Sequence, residues 1–209
     1  SLTPSLVRRG IWLAFLFCLC GYSQVVSAAT DISQPITADT TWSQAGSPYV
    51  VLSPITVSTG VTLTIQEGVV VKFEDTQGLT VLGSLQVQGQ TDLPVTFTSV
   101  HDDSVAGDTN QNGTSTQPGG EYYRWSGVTF SAGSTGDISH SKFNFAGYQR
   151  TGVTPKPAVY NQGGTVTVRN STFENNWQFG AGQTTGSITI IDTVFDLQNI
   201  GVAVKGGDV

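Results

Sequence analysis

The 209-residue sequence predicts an all-β solenoid built from stacked parallel rungs. Three observations carry this reading. The stretches "TVTVRNSTFENN" (165–176) and "SITIIDTVFDLQ" (187–198) write one chemical pattern twice, 22 residues apart. Apolar residues alternate singly through short β-branched runs, which is the period of a strand, and no stretch has the spacing of an amphipathic helix. Glycine-containing turns separate the runs at short intervals.

The repeat extends upstream. "DISHSKFNF" (137–145) follows the same template, which yields columns Ile138/Val168/Ile190, Ser141/Ser171/Thr193 and Phe143/Phe173/Phe195. The preceding halves, "AVYNQGGTVTV" from Ala158 and "GAGQTTGSITI" from Gly180, are also 22 residues apart, and "VAVKGGDV" from Val202 begins a further copy. One rung of this length cannot bury its own apolar face, so neighbouring rungs must bury it for one another. Parallel in-register stacking places like residues on like, which accounts for the columns. A polar column, His140/Asn170/Asp192, falls where the chain turns, and Asn and Asp tolerate the left-handed backbone of a tight turn. Phe143, Phe173 and Phe195 are expected inside one sheet, with Ile138, Val168 and Ile190 inside the adjacent one.

The first half carries the same grammar less regularly. "ITVSTGVTLTIQEGVVVKFEDTQGLTVLGSLQVQG" alternates through Val61, Leu63 and Ile65, then Val69, Val71 and Phe73. The succession "SPYVV", "GVTLTI", "GVVVKF", "GLTVLGSLQVQG" and "PVTFTS", followed by "WSGVTF" and the "ISHSKF" and "VRNSTF" rungs, resembles bacterial exported surface proteins of the right-handed parallel β-helix, or pectin-lyase-like, fold over residues 42–209. The resemblance implies three parallel sheets wound into a right-handed coil with lateral loops. An immunoglobulin-like sandwich is the competing fold, but its antiparallel strands would not need columns of identical residues. About eight rungs at ~4.8 Å each make a rod on the order of 40 Å long.

The N-terminus reads as an export signal, residues 1–28. Arg8 and Arg9 precede the apolar run "GIWLAFLFCLCGY", and "VVSAAT" supplies the small residues of a cleavage site after Ala28 or Ala29. The run is shorter than the ~18 residues of a spanning helix. Cys18 and Cys20 lie within it and neither Phe17 nor Leu19 is the small residue a lipoprotein site needs, so the mature chain is free of cysteine and packs without disulfides. Loss of Arg8 and Arg9 leaves seven basic residues against fifteen acids, a net charge of −8 rather than −6. That balance argues against nucleic acid as a partner. The expected division is N-terminal coils over 29–100, an inserted lateral loop over 101–124, and rungs over 125–209, continued by further domains of a longer protein.

Insertions into rungs project as loops, which carry any binding face. The spacing from Phe143 to Phe173 is 30 rather than 22, with the surplus in "GYQRTGVTPKP", and the larger insertion runs from His101 to Trp125. It contains "DTNQNG", which places Asp108, Asn110, Asn112 and Gly113 at the opening positions of the calcium loop D-x-D/N-x-D/N-G, the alternating oxygens and sharp turn that a hard cation requires. Gly119 stands where the bidentate Glu belongs, so Asp102 or Asp103 is the expected substitute. With only His101 nearby, the four acids of the loop (Asp102, Asp103, Asp108 and Glu121) call for a counter-cation, and weak calcium binding is the expectation. Tyr122, Tyr123, Trp125, Tyr148, Tyr160 and Trp177 cluster at the loop margins and form a candidate glycan-binding surface, with Arg124, Arg150 and Lys156 as partners for acidic sugars.

The resemblance also implies what an enzyme of this fold would show: calcium-binding carboxylates with an Arg or Lys base in lyases, or clustered Asp residues on neighbouring rungs in hydrolases. The rung-borne acids Asp137, Glu174, Asp192 and Asp196 show no two in a column with a basic partner, and no nucleophile triad, metal motif or phosphate loop is visible. No catalytic residue is therefore assigned. The expected function is a non-catalytic exported rod, the N-terminal part of a surface or secreted protein acting in adhesion or contact with a polysaccharide or cell-surface glycan. The alternative is a polysaccharide lyase or glycoside hydrolase whose active rungs lie further C-terminal.

Overall fold

The computed structural model describes residues 28–113, 118, 123–147, 156–196 and 200–204. Residues 1–27, which carry most of the expected export signal 1–28, lie outside them, as do Tyr122, Tyr148, Arg150, Gly119 and Glu121. The described residues form seventeen strands and a single 3₁₀ turn at Gln44–Gly46. The protein is all-β, and every pairing between these strands is parallel.

Seven short strands, beginning at Thr30–Ile32 and ending at Val194–Asp196, make one sheet. A second, ten-stranded sheet is strongly curled. Its bend is visible within one strand. Val159–Arg169 pairs its first three residues with Val128–Phe130 and its last five with Thr135–Ser139. The curl thus divides this sheet into two limbs, one containing Thr62–Gln66, Ser84–Gln88 and Thr135–Ser139, the other Ile55–Val57, Leu79–Val81 and Val128–Phe130. The chain visits the seven-stranded sheet, then the second limb, then the first, and repeats that rotation.

The bend has a local cause. Gly163 adopts φ +125°, and a Cβ there would lie 3.0 Å from the Ala132 Cα. The register of the strand shifts at the same place. Asn161 points into the interior, wholly buried, and ties the bend. Its Oδ1 accepts from the Gly163 and Gly164 amides at 3.3 and 2.8 Å, while its Nδ2 donates to the Gly164 and Ser187 carbonyls at 3.1 and 2.9 Å. A buried amide with all these bonds made is tolerated, whereas the same group unpaired is costly.

The core follows the expected columns. Phe143, Phe173 and Phe195 are in register within the seven-stranded sheet, and Phe97 extends the column upward. Their rings stack face on face at 4.8 Å, one ring per rung. Ile138, Val168 and Ile190 are in register in the first limb. Where Phe130 swings its ring across the interior, the facing position is Gly136, whose added Cβ would sit 2.6 Å from that ring. The turn column is also found: His140, Asn170 and Asp192 have φ of 45°, 48° and 45°.

Phe173 is fully buried between two stacked rings. Phe173→Ala is expected to cost ~3–5 kcal/mol by loss of contact and creation of a cavity. Denaturant unfolding checks this, with exposed Lys142→Ala on the neighbouring strand as a near-neutral control. Equal midpoints for the two variants would contradict the inward stack.

Candidate functional site

Alternation in Val70–Phe73 sends Val71 and Phe73 inward, so Val70 and Lys72 face outward, and Lys72 is in register with Thr98. A lysine on the outer face of a sheet ordinarily lies in water. Lys72 is instead 0% exposed, because the segment after Ser99 folds back over this face. Its ammonium donates to the Gly107 carbonyl at 2.6 Å. Asp102, 1% exposed, accepts from the Thr98 hydroxyl at 2.7 Å and from the Ser104 amide at 3.2 Å. Burial is the largest influence on Lys72 and holds its pKa below the ordinary 10.5, while the charges of Asp102, Asp103 and Asp108 act in the opposite direction.

A second anchor lies beside the first. His101 Nε2 is 3.1 Å from the Asp75 carboxylate, its Nδ1 is 3.4 Å from the Asn110 amide nitrogen, and its ring meets the edge of Tyr123 at 4.7 Å. The Ser99 hydroxyl donates to the Tyr123 carbonyl at 2.9 Å, closing the two ends of the insertion on each other. The outer part of the loop is an Asx turn. Asp108 accepts from the Asn112 and Gly113 amides at 3.1 and 2.8 Å, and Asn110 Oδ1 accepts from the Asn112 amide at 3.3 Å.

The expected cation ligands are therefore divided between two places. Asp102 is committed beneath the loop, while Asp108 and Asn112 face solvent. The counter-charge missing from the sequence reading is Lys72, whose field Asp102, Asp103 and Asp108 share. Among the described residues, no group of three or more His, Cys, Asp or Glu side chains is placed to hold a metal ion.

The aromatic residues are also spread apart. Tyr123 is 47% exposed at the loop end. Tyr160 is half-buried in the outward column of the second limb, in register with Thr129. Trp177 is half-buried, near the Arg124 guanidinium at 5.6 Å. Trp125 requires a correction as a glycan-contact residue. It is wholly buried, stacked on Phe73 at 4.3 Å, and its indole donates to the Asn144 carbonyl at 2.7 Å, so neither ring face is open to a sugar. Arg124, itself buried, donates to the Ala146 and Asn175 carbonyls, and burial lowers its pKa. It ties two corners together rather than facing a ligand.

Two features of the rung-borne acids also emerge. Arg169 pairs with Asp137, which lies diagonally from it. Glu174 and Asp196 are in register on neighbouring rungs of the seven-stranded sheet. Like charges directly opposite on a sheet are destabilising, so this pair is placed against local preference. Lys72 is the residue that sequence reasoning missed. Its signal was present: an outward lysine within "VVVKF", on the sheet face where the acidic insertion departs.

No protein-family model, no curated protein and no solved structure matches the chain. No helix among the described residues is long and apolar enough to cross a membrane.

Lys72→Met is expected to release the loop, since it removes the buried donor to the Gly107 carbonyl and the positive charge that acts on Asp102, Asp103 and Asp108. Protease should then cut within 101–113 while the rungs stay protected, and an unchanged cutting rate contradicts the clamp. A pH effect accompanies it. The folded pKa of Lys72 is lowered, so between that value and 10.5 the unfolded chain binds more protons and stability rises with pH. Below the window both states are protonated and the slope vanishes. The Met variant should lack this alkaline rise.

Proposed function

We propose that the chain is an exported, non-catalytic right-handed parallel β-helix, a rod that presents lateral loops for adhesion or glycan contact at the cell surface. The observation that carries the reading is the seat of the 101–113 loop, fixed to an outer sheet face by Lys72 and His101, with Tyr123 exposed beside it. Preorganised loops on a rigid stack suit recognition, because binding then orders little additional chain. The handedness rests on the rule that crossovers between parallel strands of a sheet are right-handed in about 98% of cases. The pectin-lyase-like relationship rests on the sequence succession and the three-way rotation of strands. Export rests on the N-terminal basic, apolar and small-residue pattern.

Calcium belongs to the same proposal in a narrower form. Asp108, Asn110 and Asn112 lie within one Asx turn of the loop, with Asp103 as the further candidate ligand, and weak affinity toward about 10⁻⁴–10⁻³ M fits an extracellular module. The enzymatic alternative is favoured by one observation, the stacked Glu174 and Asp196, since neighbouring carboxylates are what glycoside hydrolysis uses.

Calorimetry of the whole chain against a panel of acidic and neutral polysaccharides, with and without millimolar calcium, tests the reading. Binding without product release, weakened by Tyr123→Ala, is expected, with calcium heat that Asp108→Ala removes. Sugar release abolished by Glu174→Gln would replace this proposal with the hydrolase. No heat with any polysaccharide would remove the glycan role.

A further inference from the structure

The sequence has eight asparagines, and only Asn112 precedes a glycine. The two are exposed together at the outer edge of the loop. Gly113 has φ +73°, and no atom lies within 4 Å of where a Cβ would stand. Its amide donates to Asp108 Oδ2 at 2.8 Å. The other asparagines lack a following glycine, and those described differ in setting. Asn161 and Asn176 are buried with both side-chain amide atoms bonded to backbone groups. Asn170 is exposed, but it is held in a one-residue turn and followed by Ser171.

We propose that Asn112 is a site of spontaneous covalent modification, deamidated through attack by the Gly113 backbone nitrogen. A bond forms from that nitrogen to Asn112 Cγ, the Cγ–Nδ2 bond breaks, and the side-chain nitrogen leaves as ammonia. The proton that Gly113 loses passes to the leaving nitrogen, and the product is a five-membered imide. Water then adds to either imide carbonyl and opens the ring to aspartate or isoaspartate. One water is consumed and one ammonia is released, with no oxidant and no enzyme. Glycine favours the closure because it has no Cβ to obstruct the approach and has the widest backbone freedom. The Asp108 carboxylate, already on the Gly113 N–H, is positioned to take the proton as the nitrogen attacks. The product carries one additional negative charge next to Asp108, at the face where the loop meets solvent. The surface of the loop thus changes with the age of the protein.

The test is incubation of the whole chain in heavy-oxygen water at neutral and mildly alkaline pH, followed by peptide mapping. Label should enter at residue 112 several-fold faster than at any other asparagine, with isoaspartate among the products and the rate rising with pH. Gly113→Ala has space for its methyl group but strains a backbone held at φ +73°, and it should suppress conversion several-fold; Asp108→Asn, which leaves that backbone unstrained, should slow it. An intact Asn112 in a sample where another asparagine has converted overturns the proposal. So does conversion of Gly113→Ala at the parent rate, and a parent rate in Asp108→Asn removes the carboxylate from the step.

Discussion

Parallel in-register pairing is the constraint on which the rest of this structure depends. Each residue of a rung lies on its counterpart one rung away, so a side chain is chosen against its own neighbour of the same kind. The ring stack of Phe97, Phe143, Phe173 and Phe195 at 4.8 Å is the direct result, because the separation of strands sets the separation of rings. Among the described residues, no helix packs against this interior. Apolar residues find like partners above and below, and Asn161, a polar residue in the interior, is bonded both within its own strand and to Ser187 on the next. The consequence for function is that variation is confined to corners, where an inserted loop leaves the registry intact.

The 101–113 loop shows how such an insertion is held. Burying the Lys72 ammonium is unfavourable by itself, as the direction of its pKa shift records. It is tolerated because Gly107 accepts its hydrogen bond and three carboxylates supply the opposing charge. The loop's acids would repel one another without it. The two requirements meet in one place: the lysine needs cover, and the cover needs a cation. His101 on Asp75 adds a second point of attachment, so the loop is fixed in orientation as well as position. Its outer edge, by contrast, is built from exposed amides, carboxylates and glycine, and that is where ligand contact and chemical change are both proposed.

Much of the stack was legible in the sequence, since columns of like residues at a fixed period are a direct imprint of registry. Phe173 over Phe143, Val168 over Ile138 and the left-handed column of His140, Asn170 and Asp192 all follow from that imprint. The corners were not legible, for a physical reason. Trp125 lies in an isolated bridge to Ala146, outside any alternating run, so nothing in its neighbours marked it as inward. Lys72 reads as outward and is outward, yet its burial depends on a fold-back that no periodicity encodes. Asn161 occupies an apolar column because the bend at Gly163 and Gly164 leaves amides that only a polar side chain can satisfy. The register of Glu174 with Asp196 was derivable from the 22-residue period, but a shared column of two acids has no meaning until their outward face is known.

The registry itself can be measured by distances between paired spin labels. Thr41, Thr64, Thr167 and Thr189 lie in one outward column, and only Cys18 and Cys20 need replacement before labelling. Labels at Thr167 and Thr189 should be one rung apart and couple strongly. Labels at Thr64 and Thr167, farther apart in sequence, should be separated by only three rung steps, about 14 Å. Interspin distance should thus increase by one rung per step, whatever the sequence separation. Distances that follow sequence separation instead, or a Thr167–Thr189 pair far beyond a single strand spacing, would contradict parallel in-register stacking.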